Sequence, residues 1–164
     1  VNLESIPQLA NHSGRFENAI TGIDSGAGIM KATRKAIKAY DLNMRLITSS
    51  GAAMTASLRD AVQNKESIVV TGWKPHWMFA RWDLKFLDDP ENIYGKSENI
   101  HTIARPGVAK DLPRIVSFLK DFHLNDKQIG RLMDKMNEIS SHKEAAGRWM
   151  DEHSELVGSW FENK

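Results

Sequence analysis

Two short stretches of this 164-residue chain combine residue types that could hold a small charged ligand. In one, Trp73 and Trp77 flank the tripeptide Lys-Pro-His, and the flat face of a tryptophan attracts cations through its quadrupole. In the other, a glycine turn at residues 26–28 precedes a helical pattern that starts at Ile29. The first backbone N–H groups of a helix have no partner within that helix, and they bind anions. The two stretches therefore predict a cation site and an anion site.

The glycine turn is expected to hold a carboxylate through the backbone amides of Gly28 and Ile29. It is not a dinucleotide-binding fingerprint, because residues 26–31 lack a third glycine. It also lacks the Gly-Lys-Ser/Thr run of a phosphate-binding loop. A turn in which glycine serves only to adopt a positive φ is the alternative interpretation.

The aromatic stretch has a functional and a structural interpretation. Trp73 is expected to offer its ring face to the ligand, and packing of that ring in the core is the alternative. Trp77 is expected to pack inside the protein. His76 could donate to an anion, but it is better explained as a structural residue. We expect His76 and Trp77 to pack around the residues that contact the ligand rather than to contact the ligand themselves.

No residue pattern indicates catalysis, a metal ion or a cofactor. The six histidines lack the spacing of metal ligands, and the chain contains no cysteine. An α/β enzyme that acts on a small carboxylate, with His76 as general acid or base, is one alternative function; no second acid–base partner stands at a suitable spacing. A protein-interaction module that docks a partner on the Trp73 edge is another.

Three β-type runs alternate with helical patterns in the first half of the chain. Strands are predicted at residues 19–23, 45–48 and 67–71, with helices at residues 29–40 and after Ser50. This order predicts an α/β protein with a parallel sheet and right-handed crossovers. Both unusual turns then lie at the carboxyl ends of strands, where parallel sheets bind ligands. Neighbouring strands are about 4.8 Å apart, so one small ligand can contact both turns.

The rest of the chain is predicted from weaker patterns. Short strands are expected at residues 84–87 and 99–104, and the last third is expected to be helical. Residues 1–18 are polar and are interpreted as a linker-like lead-in, followed by one α/β lobe over residues 19–164.

Composition excludes several classes of protein. The 22 basic and 21 acidic residues nearly balance, whereas a nucleic-acid-binding protein carries a basic excess or stripe. No stretch approaches the roughly 18 consecutive apolar residues of a membrane span. The first residues do not resemble a signal peptide, so we expect either a cytoplasmic protein or a processed or excised part of a longer one.

Together the two turns suggest a ligand with opposite charges at its two ends. The anionic end would be held by backbone amides, and the cationic end would lie on an indole. A quaternary ammonium suits the second position because it cannot donate hydrogen bonds and is recognised by aromatic faces.

The residues at both turns resemble those of one transport family. Gly22–Met30 and Thr71–Phe79 are similar to the substrate-binding proteins of glycine betaine/proline betaine ABC transporters, as are shorter stretches at residues 49–54, 84–90 and 98–103. The resemblance implies a type II periplasmic-binding-protein-like fold, in which two α/β lobes close on the ligand. This chain resembles one lobe, with a mostly parallel sheet flanked by helices and a helical C-terminal third. It is expected to be the C-terminal half of a longer protein.

The resemblance also implies roles for individual residues. Gly28 and Ile29 match the amides that hold the betaine carboxylate, and Trp73 matches the one cage tryptophan that this lobe supplies. Some relatives carry an aromatic residue where this chain has Ala27. The remaining tryptophans of the cage belong to the other lobe, which has no counterpart here.

The expected function is uptake of a betaine-type compatible solute for osmoprotection, without catalysis. The expected partners are the second lobe and the ABC transporter permease, and an isolated lobe could pair with a second copy of itself. An extracytoplasmic, membrane-associated location follows from this interpretation. Alone, the chain is expected to bind glycine betaine very weakly.

Overall fold

The computed structural model describes residues 2–96 and 99–161, which divide into two compact units. The first, here called the α/β unit, contains described residues 2–73 and 84–96. The second, the helical unit, contains described residues 74–83 and 99–161. The chain therefore passes from the first unit to the second, returns, and passes to the second again.

A small parallel sheet organises the α/β unit. Strand β1 (Ala19–Thr21) pairs in parallel with β2 (Arg45–Ile47), with Ile20 opposite Leu46 in the register. The connection between the two strands contains a helix, as a parallel pair requires. The predicted parallel arrangement of the first two strands is confirmed.

The third predicted strand is reduced to one bridge. Val70 pairs in parallel with Thr21. The Thr21 N–H donates to the Val69 carbonyl at 2.9 Å, and the Thr71 N–H donates to the Thr21 carbonyl at 3.0 Å. Strand β1 therefore lies between β2 and the segment around Val70.

Two helices follow the first two strands. Helix α1 (Gly28–Ala39) begins after the glycine turn, and α2 (Gly51–Asn64) begins where Ser50 accepts a hydrogen bond from the Ala53 N–H at 3.1 Å. Lys65, in the left-handed region at φ 59°, ends α2. Helix α1 lies within one residue of its predicted bounds, and α2 begins directly after Ser50 as predicted.

The core of the α/β unit includes the N-terminal segment. Two short 3₁₀ helices span Ile6–Asn11 and Ser13–Phe16. Leu3, Ile6 and Leu9 are buried in one cluster with residues of the strands and their connections. Residues 2–18 thus differ from the linker-like lead-in that their composition predicts, because three apolar side chains at a spacing of three residues anchor an otherwise polar segment.

Six helices make up the helical unit within the described residues. They are α3 (Met78–Arg81), α4 (Val108–Asp111), α5 (Pro113–Asp121), α6 (Asp126–Glu138), α7 (His142–Glu152) and α8 (Ser154–Ser159). Helix α3 packs on α6, and α6 packs on α7. The starts of α6 and α7 are set by side-chain caps from Asn125 and Ser141. In the described part of the chain, no helix has both the length and the apolar character needed to cross a membrane.

Two predicted strands are not found. Residues 84–87 have no regular structure, and the nearby pairing is a single parallel bridge between Ser5 and Asp88. Residues 99–104 also have no regular structure. Strand patterns become strands only when a neighbouring strand accepts their hydrogen bonds, and neither segment pairs as a strand within the residues described.

Candidate functional site

The start of α1 leaves backbone donors exposed at the carboxyl edge of the sheet. Ala27 occupies the N-cap position and provides no side-chain hydrogen bond. Its carbonyl accepts from the Met30 and Lys31 N–H groups at 3.1 and 3.3 Å. The N–H groups of Gly28 and Ile29 have no acceptor among the described residues. This is the geometry of an anion site at a helix N-terminus.

A close approach between Gly22 and Met30 fixes the position of α1 against β1. A Cβ at Gly22 would lie 2.4 Å from Met30 Sδ, so a larger residue here would require the buried Met30 side chain to shift. The Met30 side chain is fully buried, and its Sδ accepts from the Ile23 N–H at 3.3 Å. The first turn of α1 is thereby held directly above the end of β1.

Ser49 ties the ends of β1 and β2 together. Its hydroxyl donates to the Gly22 carbonyl at 2.5 Å, and its N–H donates to the Ile23 carbonyl at 3.2 Å. The Gly22 N–H donates in turn to the Ile47 carbonyl at 2.8 Å. Because these bonds lie just before the glycine turn, they restrict the direction in which the turn leaves the sheet.

Trp73 follows the segment that borders β1 on its other side. It lies three residues beyond Val70, so its Cα is at most about 11 Å from that point of the sheet. The side chain is 38% exposed. In the strand order found here, α1 leads from β1 to β2 on one side of β1, and the segment around Val70 lies on the other side of β1. That is the switch point at which open α/β sheets bind ligands. The ligand contacts of Gly28, Ile29 and Trp73 remain predictions.

His76 and Trp77 belong to the helical unit. His76 Nδ1 accepts from the Met78 N–H at 3.3 Å at the start of α3, and its ring centroid is 5.4 Å from that of Trp77. Burial lowers the pKa of His76, which favours the neutral ring. The guanidinium of Arg81 lies 5.2 Å from the centre of the Trp77 ring. These contacts support the structural interpretation of both residues.

Two residues beside the site have roles that local sequence does not reveal. The Ser49 hydroxyl donates to the Gly22 carbonyl and so joins segments 27 positions apart. Thr71 is 4% exposed, and its hydroxyl has no hydrogen-bond partner among the described residues. No local pattern identifies either role, because both depend on how the strands pair.

Helix α1 also carries an unbalanced set of cations. Its exposed basic residues, here called the basic stripe, are Lys31, Arg34, Lys35 and Lys38. Helix α1 contains no acidic residue. None of the four forms an ion pair with an acidic side chain in the described ranges. The stripe makes the surface beside the open amides electropositive.

Other chemistry is not indicated by the described residues. They include no group of three or more His, Cys, Asp or Glu side chains that could hold a metal ion. A cleft of about 240 Å³ lies in the helical unit between α6 and α7, lined in part by Asp134, Lys135 and Trp149. None of the predicted site residues lines it.

Comparison with protein families gives a match over most of the chain. The family described as "OpuAC: Substrate binding domain of ABC-type glycine betaine transport system" matches residues 1–152. A curated Listeria monocytogenes protein, "Glycine betaine/carnitine transport binding protein GbuC", is 49% identical over 144 residues. That match covers 86% of this chain and 48% of the Listeria protein.

The similar solved structures include binding proteins of ABC transporters as well. The crystal structure of lactococcal OpuAC, in a closed-liganded conformation with glycine betaine, is similar with a TM-score of 0.73 and 39% identity; the match covers 99% of this chain and 63% of that one. The glycine/betaine/L-proline-binding protein ProX from Borrelia burgdorferi follows with a TM-score of 0.71, 37% identity and coverage of 98% and 62%. A choline-binding protein of an ABC transporter, at 23% identity, shares the fold.

These matches confirm the fold expected from the sequence, a type II periplasmic-binding-protein-like fold. The chain spans about half the length of the curated relative and under two thirds of the solved ones. That share agrees with one lobe of a two-lobe domain.

Proposed function

The chain belongs to the family of substrate-binding domains of ABC-type glycine betaine transport systems, and from this premise we propose that it supplies one half of a site for glycine betaine or a related quaternary-ammonium solute. In this proposal the Gly28 and Ile29 amides hold the carboxylate, and the Trp73 ring faces the cation. His76 and Trp77 are assigned structural roles. Capture of the solute delivers it to an ABC transporter permease for uptake under osmotic stress.

The observation that carries the proposal is the pair of N–H groups on Gly28 and Ile29 that find no acceptor in the described part of the chain. They lie at the carboxyl edge of a parallel sheet, on the side where helix dipoles favour negative charge. The basic stripe adds positive potential beside them. A carboxylate is the part of a betaine that these donors recognise.

The cationic end requires a surface that does not depend on hydrogen bonds. Trp73 is the sole tryptophan of the α/β unit and keeps 38% of its side chain exposed. An indole face is worth about 0.5–2 kcal/mol to a cation laid on it. Among the similar proteins, lactococcal OpuAC was solved with glycine betaine, and the Listeria relative is named for glycine betaine and carnitine.

The energies indicate that this chain alone is only half of a site. Micromolar affinity needs about 8 kcal/mol, and association costs at least about 4 kcal/mol before any contact is counted. Two charge-assisted hydrogen bonds at about 1.5–3 kcal/mol each, with one indole, leave millimolar binding or weaker. We therefore propose that the second lobe completes the cage, and that pairing with a second copy is a further arrangement open to an isolated lobe.

No catalytic step belongs to the proposal, because the family is one of transport binding domains. For the enzyme alternative, Nδ1 of His76 accepts from the Met78 N–H, which leaves only Nε2 of that ring for proton transfer. The proposed location is outside the cytoplasm, at the membrane, through the permease or through an anchor outside these residues.

Titration of the isotopically labelled chain, followed by NMR, tests the two ends of the ligand separately. Glycine betaine at millimolar concentrations should shift the amide signals of Gly28 and Ile29 and the indole signal of Trp73. Acetate, which lacks the cation, should shift the two amides alone. Tetramethylammonium, which lacks the carboxylate, should shift the indole alone.

Two outcomes would contradict this assignment. Unchanged Gly28, Ile29 and Trp73 signals at the highest betaine concentration would exclude the site. Micromolar affinity of the monomeric chain in calorimetry would show instead that the site is complete without a second lobe. Glycine itself, with an ammonium that hydrogen-bonds to water, serves as the control ligand and should bind more weakly than betaine.

A further inference from the structure

Helix α1 carries its charges on the side opposite its buried face. The residues of the basic stripe stand at positions 31, 34, 35 and 38, and all four are exposed. At about 100° per residue, these positions fall within an arc of about 100° and along about 10 Å of the helix axis. The buried residues Met30, Thr33 and Ala36 lie on the other side of the helix. The stripe is therefore a narrow row of cations that faces solvent.

No acidic group among the described residues balances this row. Helix α1 has no Asp or Glu, and the nearest acidic residues along the chain, Asp24 and Asp41, lie beyond its two ends. None of the ion pairs found in the described ranges includes a stripe residue. Arg34 donates to the Ser25 carbonyl at 3.4 Å, which is a neutral acceptor and leaves the charge uncompensated. Like charges three and four residues apart on a helix repel one another, so an anionic surface that covers the stripe would relieve this repulsion.

The excess of positive charge is local. The whole chain has 22 basic and 21 acidic residues, and four of the 22 lie on this one face. Without the stripe, acidic residues would be in the majority. A molecule with almost no net charge has little overall attraction to an anionic surface. A row of four cations on such a molecule turns α1, and not another element, towards that surface.

The composition of α1 favours a membrane over a protein as the anionic partner. Protein interfaces depend on a few anchors, mostly Trp, Tyr and Arg, that fill pockets on the partner. The other exposed residues of α1 are Gly28 and Ala39, and the helix contains no aromatic residue. It therefore also lacks the large apolar side chains that insert an amphipathic helix into a bilayer. Lipid headgroups move laterally and can gather around four separate charges, so they need no matching pocket.

We propose that the basic stripe is a contact surface for anionic phospholipid headgroups and that it holds α1 loosely against a membrane. The proposal rests on the proposed function for the presence of that membrane, because a transport binding domain works beside its permease. Each Lys or Arg near an anionic membrane surface raises the binding constant about fivefold, so four of them raise it by a factor on the order of several hundred. Such a contact is reversible and is screened by salt.

Contact through the stripe leaves the proposed anion site open. The N–H groups of Gly28 and Ile29 lie at the N-terminus of α1 and point along the helix axis. The stripe residues project sideways from the same axis. A membrane beside the helix therefore covers the stripe and leaves the end of the helix accessible to a soluble carboxylate.

Sedimentation with vesicles tests the contact. At low ionic strength, we expect the chain to sediment with vesicles that contain phosphatidylglycerol and to stay in solution with vesicles of phosphatidylcholine alone. Added salt should release it, because the attraction is electrostatic. Removal of the four charges should weaken the binding at least about tenfold. The variant that removes them combines Lys31→Gln, Arg34→Gln, Lys35→Gln and Lys38→Gln.

A matched control removes the same number of positive charges elsewhere. It changes four exposed lysines of the helical unit and combines Lys110→Gln, Lys120→Gln, Lys127→Gln and Lys143→Gln. This variant should keep most of the binding. Equal loss in the two variants would show that net charge is responsible rather than the stripe, and it would overturn the proposal. Equal binding of the parent chain to both kinds of vesicle would overturn it as well.

A paramagnetic lipid locates the contact on the unaltered chain. Phosphatidylglycerol vesicles with a gadolinium chelate on some headgroups should broaden the amide NMR signals of residues 31–38 more than those of β1 and β2. Broadening that spares residues 31–38 would exclude the stripe. Binding of soluble polyglutamate to the stripe as tightly as vesicles bind would refute the lipid surface and assign the stripe to an acidic protein.

Betaine titration separates this proposal from the proposed function. Vesicle binding through the stripe, with no betaine shift at Gly28, Ile29 or Trp73, would refute the proposed function and leave the lipid contact intact. Betaine shifts at those residues in a chain that binds no vesicle would refute the lipid contact and leave the function intact.

Discussion

Gly22 and Gly28 serve different purposes although they stand six positions apart. A Cβ at Gly22 would meet Met30 Sδ at 2.4 Å and the Ile47 carbonyl oxygen at 3.1 Å. At Gly28 a Cβ would meet nothing within 4 Å. Packing therefore favours glycine at position 22, whereas the proposed role of Gly28 rests on its backbone N–H.

The first residue-scale prediction concerns stability. Gly22→Ala should lower the free energy of unfolding by about 1–3 kcal/mol, because the added methyl group overpacks a buried contact. Urea denaturation followed by circular dichroism measures the change. Gly51→Ala, where a Cβ meets nothing within 4 Å, is the matched control and should not destabilise the protein. Equal effects of the two changes would show that the Met30 contact is not tight.

The second residue-scale prediction concerns the anion site. Gly28→Pro removes one amide N–H at the first position of α1, where proline is well tolerated. Ala27, at φ −64° and ψ 145°, already has the conformation that a residue before proline prefers. The carboxylate-dependent shift at Ile29 should weaken about tenfold or more, the worth of one hydrogen bond to a charged group. Gly28→Ala keeps the N–H and should bind acetate as the parent chain does; loss of binding in both variants would implicate sterics instead.

At the scale of elements, helix α1 differs from α2, α6 and α7 in its N-cap. Side chains of Ser50, Asn125 and Ser141 cap α2, α6 and α7. Helix α1 begins at Ala27 without such a bond. An absent cap costs stability of about 1 kcal/mol, and it leaves donors available to a ligand.

This difference predicts a trade between stability and binding. Ala27→Asp should raise the free energy of unfolding by about 1 kcal/mol, because the carboxylate caps α1 and interacts favourably with its dipole. The same change should abolish the acetate shifts at Gly28 and Ile29, since the N-cap carboxylate accepts from the Ile29 or Met30 N–H and its negative charge repels the ligand from both amides. Ser50→Ala, which removes the cap of α2, should lower stability without altering those shifts. Undiminished acetate binding by Ala27→Asp would argue against the amide site.

Helices could be predicted from the sequence more reliably than strands, and the reason is physical. The starts of α2, α6 and α7 depend on caps within three or four residues, so local sequence is sufficient to find them. The strands at residues 67–71, 84–87 and 99–104 depend on distant partners. The first forms one bridge, and the other two form no strand in the described part of the chain.

Local sequence was also sufficient to predict the uncapped start of α1. The exposed amides of Gly28 and Ile29 follow from a glycine turn before a helical pattern. The parallel strand order brings that turn to the same edge of the sheet as the segment that leads into Trp73. The roles of Ser49 and Met30 could not be predicted, because each contacts a residue on another element. Direct contact between Trp73 and a solute stays a prediction.

At the scale of the whole molecule, the two units have unequal cores, and this predicts unequal stability. Trp73 is in the α/β unit, and the other four tryptophans, Trp77, Trp82, Trp149 and Trp160, are in the helical unit. Tryptophan fluorescence should therefore change at a lower urea concentration than the one at which the amides of β1 and β2 lose their protection from hydrogen exchange. The physical reason is that a unit that buries less apolar surface has a lower free energy of local unfolding. Coincident transitions by both measurements would show that the chain unfolds as one cooperative body.

The return of the chain to the α/β unit at Leu84 restricts how this protein can be divided. Residues 84–96 supply the Asp88 pairing with Ser5, the Asp89 bond to the Tyr40 hydroxyl and the Tyr94 bond to Thr33. A truncation after Trp73 would discard all three. A minimal version of the α/β unit must instead be made by internal deletion, with Trp73 spliced to Leu84 through a short linker.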